Sequence, residues 1–303
     1  MVGVIAVSLK TRCIMRHVVA LVVIVMVLSA PVWAQDNLPP PETGLSGLTS
    51  EPVAQRQEAR GAEQLEQAKK YAREMGVSKD VIERFPSIVR ISMSLHTLSA
   101  PFMEERGGSG FFVGTDASGM GLFFTASHVF LPYKDVLCGK SMITTISITG
   151  VKDLRGGRVV YYNAASDMAV IRTALDDLIL ESIPIADKDP EPGDELFVVG
   201  FPGVPNTNVD FLTLLSVRFR GSYRYSDFTV EPYGMVPYLV NQFLIFPGAE
   251  YGYSGGALLN KKGHLVGMPV WVSTHGVFST AGARSHLLEA LAAVRSGQNF
   301  CGQ

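Results

Sequence analysis

Tyr-Gly-Tyr-Ser-Gly-Gly-Ala-Leu-Leu-Asn-Lys-Lys-Gly-His-Leu-Val-Gly, residues 251–267, sets one serine among glycines and then reads strand, turn, strand. A serine attacks a carbonyl only if an imidazole takes its proton, a buried carboxylate fixes that imidazole and backbone N–H groups receive the oxyanion. Glycines on either side of Ser254 allow the tight turn that aims such N–H groups. The amides of Gly252 and Ser254 are the candidate oxyanion donors. One framework for a Gly-x-Ser-x-Gly turn follows it with a helix and orders the chain as Ser, acid, His. Residues 256–267 contain no helix signal, no Asp follows Ser254, and the only acid there is Glu289. No elbow helix follows the serine, so a base and carboxylate are sought upstream.

Upstream, Gly-Leu-Phe-Phe-Thr-Ala-Ser-His (121–128) is an apolar strand that delivers His128 to its end. Asn-Ala-Ala-Ser-Asp-Met-Ala-Val-Ile (163–171) runs a polar stretch ending in Asp167 straight into a second strand. Taken alone, Asp167 reads equally as a turn residue or cap. The remaining histidines, His17, His96, His264, His275 and His286, have no base-like or metal-ligand context and read as surface or satisfied core residues. The chain order is His128, Asp167, Ser254, the reverse of the strand-to-helix arrangement.

These motifs resemble those of the trypsin-like, chymotrypsin-fold serine proteases. Thr-Ala-Ser-His-Val (125–129) is similar to their Thr-Ala-Ala-His segment, Ser-Asp-Met-Ala-Val-Ile (166–171) to Asp-Leu-Ala-Val, and Gly-Tyr-Ser-Gly-Gly-Ala (252–257) to Gly-Asn/Asp-Ser-Gly-Gly-Pro. Gly-Ser-Gly-Phe-Phe-Val (108–113) resembles the strand before the histidine in the bacterial HtrA-like branch. The resemblance spans residues 88–298. It implies an all-β fold of two antiparallel six-stranded barrels, with His128 as general base and acid, Asp167 as its orienter and Ser254 as acyl acceptor. It implies no metal and no cofactor, and a protein or peptide as substrate.

The departures are informative. Tyr253 stands where the digestive branch has an Asp that pairs with a newly cut N-terminus, so that activation switch is expected to be missing. The 49 residues after Ser254 suffice for a few strands and a closing helix, and no added peptide-binding domain is expected. By the same resemblance, the primary specificity pocket is lined by Gly248 and by Val270, Trp271 and Val272. Gly248 takes the position of the acid that selects Arg or Lys, which predicts a preference for small or medium apolar residues.

With 47% hydrophobic and 18% charged residues, the 303-residue chain can bury a protease-sized core. Lys10, Arg12 and Arg16 precede an apolar run from Val18 to Leu28, and Val-Trp-Ala (32–34) offers a small residue before a cut. This is the layout of a secretory signal peptide over 1–34, which predicts a periplasmic or secreted product. An uncleaved anchor is the competing reading, although 11 residues is short for about 30 Å of hydrocarbon. Loss of three of the 26 basic residues with the signal leaves 23 against 28 acidic, a formal charge of −5 that does not favour nucleic acid. Cys138 and Cys301 then remain as a candidate disulfide, and two separate thiols explain the sequence equally well.

Residues 35–53 read as a Pro-rich linker and 54–87 as a helical arm, with Leu65, Ala68, Ala72 and Met75 on one stripe. The protease-like region is 88–303. Its short apolar runs are separated by turns such as Asp-Ala-Ser-Gly (116–119), and the interval Asp187–Asp194 is the expected crossover between barrels. Leu287, Leu288, Leu291 and Val294 predict a closing helix over Arg284–Arg295. Two alternatives to an exported endopeptidase stay open at this point: a catalytically silent binding protein on the same fold, and a signal-anchored membrane protease.

Overall fold

The structure, a computed structural model, describes residues 53–97, 100–130, 143–149, 154–176, 178–202, 212–223, 228–230, 234–236, 242–249, 252–272 and 279–297. The signal segment, the linker, Cys138 and Cys301 lie outside the described residues.

The first half builds an antiparallel sheet from β1 (Ile88–Thr97), β2 (Ala100–Thr115), β3 (Gly121–Ala126), β4 (Ile143–Thr149), β5 (Leu154–Arg155), β6 (Arg158–Asn163) and β7 (Met168–Thr173). The order is β5-β4-β1-β2-β3-β7-β6, so this half is a seven-stranded sheet among the described residues. β3 lies centrally between β2 and β7, and every one of its residues is buried. Successive strand side chains point to opposite faces. Phe124 accordingly stacks on Phe111, with ring centroids 5.6 Å apart, while Phe123 tilts on Phe112 at 5.3 Å. Each buried Phe contributes roughly 1.5–3 kcal/mol relative to exposure, which anchors the strand that carries His128.

The second half continues with β8 (Glu195–Gly200), β9 (Thr213–Tyr223), the short ribbon of β10 (Phe228–Val230) and β11 (Gly234–Val236), then β12 (Gln242–Phe246), β13 (Ala257–Leu259), β14 (Leu265–Val272) and β15 (Ser279–Ala283). Six of these close into a barrel in the order β12-β15-β14-β13-β8-β9. The hairpin β13–β14 is the strand, turn, strand read after Ser254.

The crossover is stitched to both halves. Ile183 N donates to Phe112 O of β2, and Leu265 of β14 exchanges backbone hydrogen bonds of 2.8 Å with Pro184 O and Ala186 N. This fixes one half against the other.

Two helices pack outside. α1 (Val53–Glu74) buries Ala72 and rests Leu65 and Ala68 on the core, whereas Met75, beyond its last turn, is exposed. The short α2 (Lys79–Ile82) and the turn after it sink Val81, Ile82 and Phe85 into the core. Ser78 Oγ donates to Lys261 O in the β13–β14 turn, and Ser87 Oγ donates to Glu181 O in the crossover. The arm is thus built into the body. α3 (Arg284–Arg295) buries His286, Leu287, Ala290 and Leu291. Leu288 is 43% exposed, contrary to its place in the expected stripe, because 100° per residue carries it off the face that Leu287 and Leu291 define.

Candidate active site

His128 sits in the single 3₁₀ turn Ser127–Phe130 that ends β3, and Asp167 ends the tight turn between β6 and β7. Because β3 and β7 are paired, with Ala126 opposite Met168, the two turns emerge side by side. Asn163 shapes the second turn by accepting hydrogen bonds at Oδ1 from the N–H groups of Ala165 and Ser166. Asp167 itself takes φ of 54°, a left-handed conformation that Asp tolerates better than most residues.

The carboxylate of Asp167 is nearly buried and fully engaged. Its Oδ2 lies 2.7 Å from His128 Nδ1, and Oδ1 accepts from His128 N at 2.8 Å and from Ser127 Oγ at 2.9 Å. An ionised carboxylate only accepts, so the proton of this pair resides on Nδ1 and Nε2 is left as the basic ring nitrogen. Behind Ser127, burial and then the charge of Asp167 push the Tyr162 hydroxyl up to about 12, so it stays protonated.

Ser254 occupies the turn before β13, and two glycines let it approach the His128 turn. A Cβ on Gly108 would lie 2.9 Å from both Ser254 O and Val129 Cγ2, the side chain next to His128. Gly255 has φ of 84°, and a Cβ there would overlap Ser109 O and come within 2.7 Å of Ala126 N. Only glycine fits both the dihedral and the space. The sequence-predicted serine and histidine turns are thus packed against each other across β2 and β3.

The carbonyls of the Ser254 turn are all hydrogen-bonded. Gly252 O accepts from Ser109 Oγ at 2.7 Å, Tyr253 O from Gly256 N at 2.8 Å, and Ser254 O from Ser109 N at 2.8 Å. A trans peptide aims its N–H opposite its C=O, so the Ser254 N–H points away from the Tyr253–Gly256 bond. Gly252 has φ of 91°, and among the described residues neither its amide nor that of Ser254 donates a hydrogen bond.

Two supports of this turn escape a motif search. Ser109, fully buried, clips three segments: besides its bonds to Gly252 and Ser254, its Oγ accepts from Phe201 N and its carbonyl accepts from Thr125 Oγ1. The clue was a hydroxyl set among the glycines of Gly-Gly-Ser-Gly (107–110), just before the apolar run Phe111–Val113. Tyr253 is buried in the barrel core, where its hydroxyl bonds to Thr213 Oγ1 on β9. The residue noted only as a departure is therefore an anchor.

The residues expected to line a specificity pocket are dispersed along two elements. Gly248 follows β12 beside buried Ala249, and Val270 is buried on β14 next to Pro269, whose carbonyl accepts from Gly255 N at 2.8 Å. Trp271 and Val272 pair with Thr280 and Ser279 of β15, and their side chains lie outside the described part. His286 is buried on α3, with Nδ1 3.7 Å from Glu289 Oε2.

Comparison with known proteins follows from this geometry. The active form of the Rv3671c protease from M. tuberculosis shares 19% identity at a TM-score of 0.53, over 71% of this chain and 83% of that one. Its inactive form gives 20% and 0.51, over 71% and 92%. The serine endoprotease from Yersinia pestis gives 18% and 0.50, over 73% and 66%. At such identities the likeness establishes the fold. No match was found among curated proteins. Residues 108–268 match the trypsin-like peptidase domain, a span that runs from the glycine beside Ser254 through β14 and takes in His128, Asp167 and Ser254, and this chain belongs to that family of serine peptidases.

Proposed function

We propose that the chain is an exported serine endopeptidase working through His128, Asp167 and Ser254 and an acyl-enzyme on Ser254. The observation that carries this reading is the 2.7 Å pairing of His128 Nδ1 with a nearly buried Asp167 carboxylate, beside a glycine-framed serine turn. Ser254 Oγ attacks the scissile carbonyl carbon as its proton passes to His128 Nε2. Asp167 stabilises the imidazolium, and the Gly252 and Ser254 N–H groups receive the oxyanion. Collapse of the tetrahedral intermediate breaks the C–N bond, with the proton going from His128 to the leaving amine. Water then hydrolyses the ester by the same route, restoring Ser254.

Gly248 brings no charge to the floor of the specificity pocket, and Ala249 and Val270 nearby are apolar. Small or medium apolar residues are expected before the scissile bond. Cleavage of a peptide library, read by mass spectrometry, tests this: enrichment of Ala, Val or Leu agrees with it, and a profile dominated by Arg or Lys overturns it. Export rests on the basic and apolar pattern of residues 10–34. N-terminal sequencing of the protein from its native cells should begin at Gln35, whereas an intact Val18–Leu28 segment in the membrane fraction would replace release by anchoring.

A further inference from the structure

We propose that Ser127 is a positioning residue that holds the Asp167 carboxylate against His128 and shares its negative charge. The inference deepens the reading above and rests on the His128–Asp167 pair. Thr-Ala-Ser-His differs from the family's Thr-Ala-Ala-His at one place, and that place is Ser127. The extra hydroxyl is used. Ser127 is 1% exposed, and its Oγ donates to Asp167 Oδ1 at 2.9 Å, the same oxygen that accepts from His128 N. Oδ1 is thereby held on one side of the carboxyl group, and Oδ2 is left facing His128 Nδ1.

The Tyr162 hydroxyl, on β6, lies within the field of Asp167; burial and then that charge push it up to about 12, so it stays neutral while His128 titrates.

Other titratable groups at this corner act elsewhere. Tyr161, the neighbour on the opposite face of β6, senses Glu289 of α3, and Glu289 lies near His286. Among the described residues, His128 is the one ion-pair partner of Asp167. A change at Ser127 therefore reports on the His128–Asp167 pair.

Removing the Ser127 hydroxyl leaves Oδ1 with one donor and more negative charge on the carboxylate. The imidazolium is then favoured, so His128 titrates at higher pH, and the loosened carboxylate slows turnover. Ser127→Ala is expected to raise the His128 pKa in an NMR titration of its ring, to move the acid limb of kcat/KM upward, and to lower kcat about tenfold with KM nearly unchanged. A purely structural role would lower Tm without moving His128. An unshifted or lowered His128 titration in folded Ser127→Ala would overturn the proposal. The titration needs no substrate, so a protein without peptidase activity whose His128 still responds would refute the proposed function and leave this inference intact.

Discussion

Replacing Ser254 by alanine lowers kcat for peptide hydrolysis by about 10⁶-fold, the scale of loss seen when a triad nucleophile is removed. The substitution should leave the fold intact, because it is the backbone carbonyl of Ser254 that bonds to Ser109 N, and alanine keeps that carbonyl. Binding should persist too, since the pocket segments around Gly248 and Val270 are untouched. The variant is then a substrate trap: KM-like affinity measured by calorimetry is retained while product formation, followed by single-turnover kinetics, disappears. Turnover within tenfold of wild type would remove Ser254 from the mechanism.

Asp167→Asn should cost about 10⁴-fold in kcat, and the hydrogen bonds of this site dictate why. The Oδ1 position accepts from two donors, Ser127 Oγ and His128 N. An amide placed there must therefore turn its oxygen toward them and its NH₂ toward His128 Nδ1. That reverses the tautomer: Nδ1 becomes the acceptor, Nε2 carries the proton, and Nε2 can no longer take one from Ser254. Loss of the carboxylate charge also disfavours the imidazolium. In wild type, kcat/KM should rise with pH as the imidazole loses its proton, and in Asp167→Asn the limb should move to lower pH. Stopped-flow rates across pH 5–9 measure both effects. An Asn variant of near wild-type activity would show that Asp167 is a cap and nothing more.

Much of this architecture was legible in the sequence because short segments carry incompatible demands. A serine between glycines followed by strand, turn, strand argues against a strand-to-helix elbow, and the histidine at the end of a largely apolar strand supplied the base. The central strands were legible for the same reason: apart from Thr125, Gly121–Ala126 is apolar, which suits a strand buried on both faces. β15 was not. Ser-Thr-Ala-Gly-Ala (279–283) shows no alternation of large apolar residues, yet it closes the barrel between β12 and β14. Its small side chains have a packing reason, since a Cβ on Gly282 would lie 2.8 Å from Met168 Cε. Partners distant in sequence set that requirement, and nothing local announces it. The same holds for the supports of the site. Ser109 and Gly252 are 143 residues apart, and Tyr253 and Thr213 are 40 apart. A motif reports the residues that react, whereas the residues that aim them are found only when the strands are brought together.

The central claim is that Ser254 is an activated nucleophile facing a formed oxyanion hole, and reaction with a fluorophosphonate probe tests it most directly. The probe needs no knowledge of the substrate, because it requires only an activated serine and donors for the developing charge. The account predicts a single adduct on the peptide carrying Ser254, absent in Ser254→Ala and slowed in Asp167→Asn. A folded wild-type protein that takes up no label, or that is labelled equally well without Ser254, would contradict it.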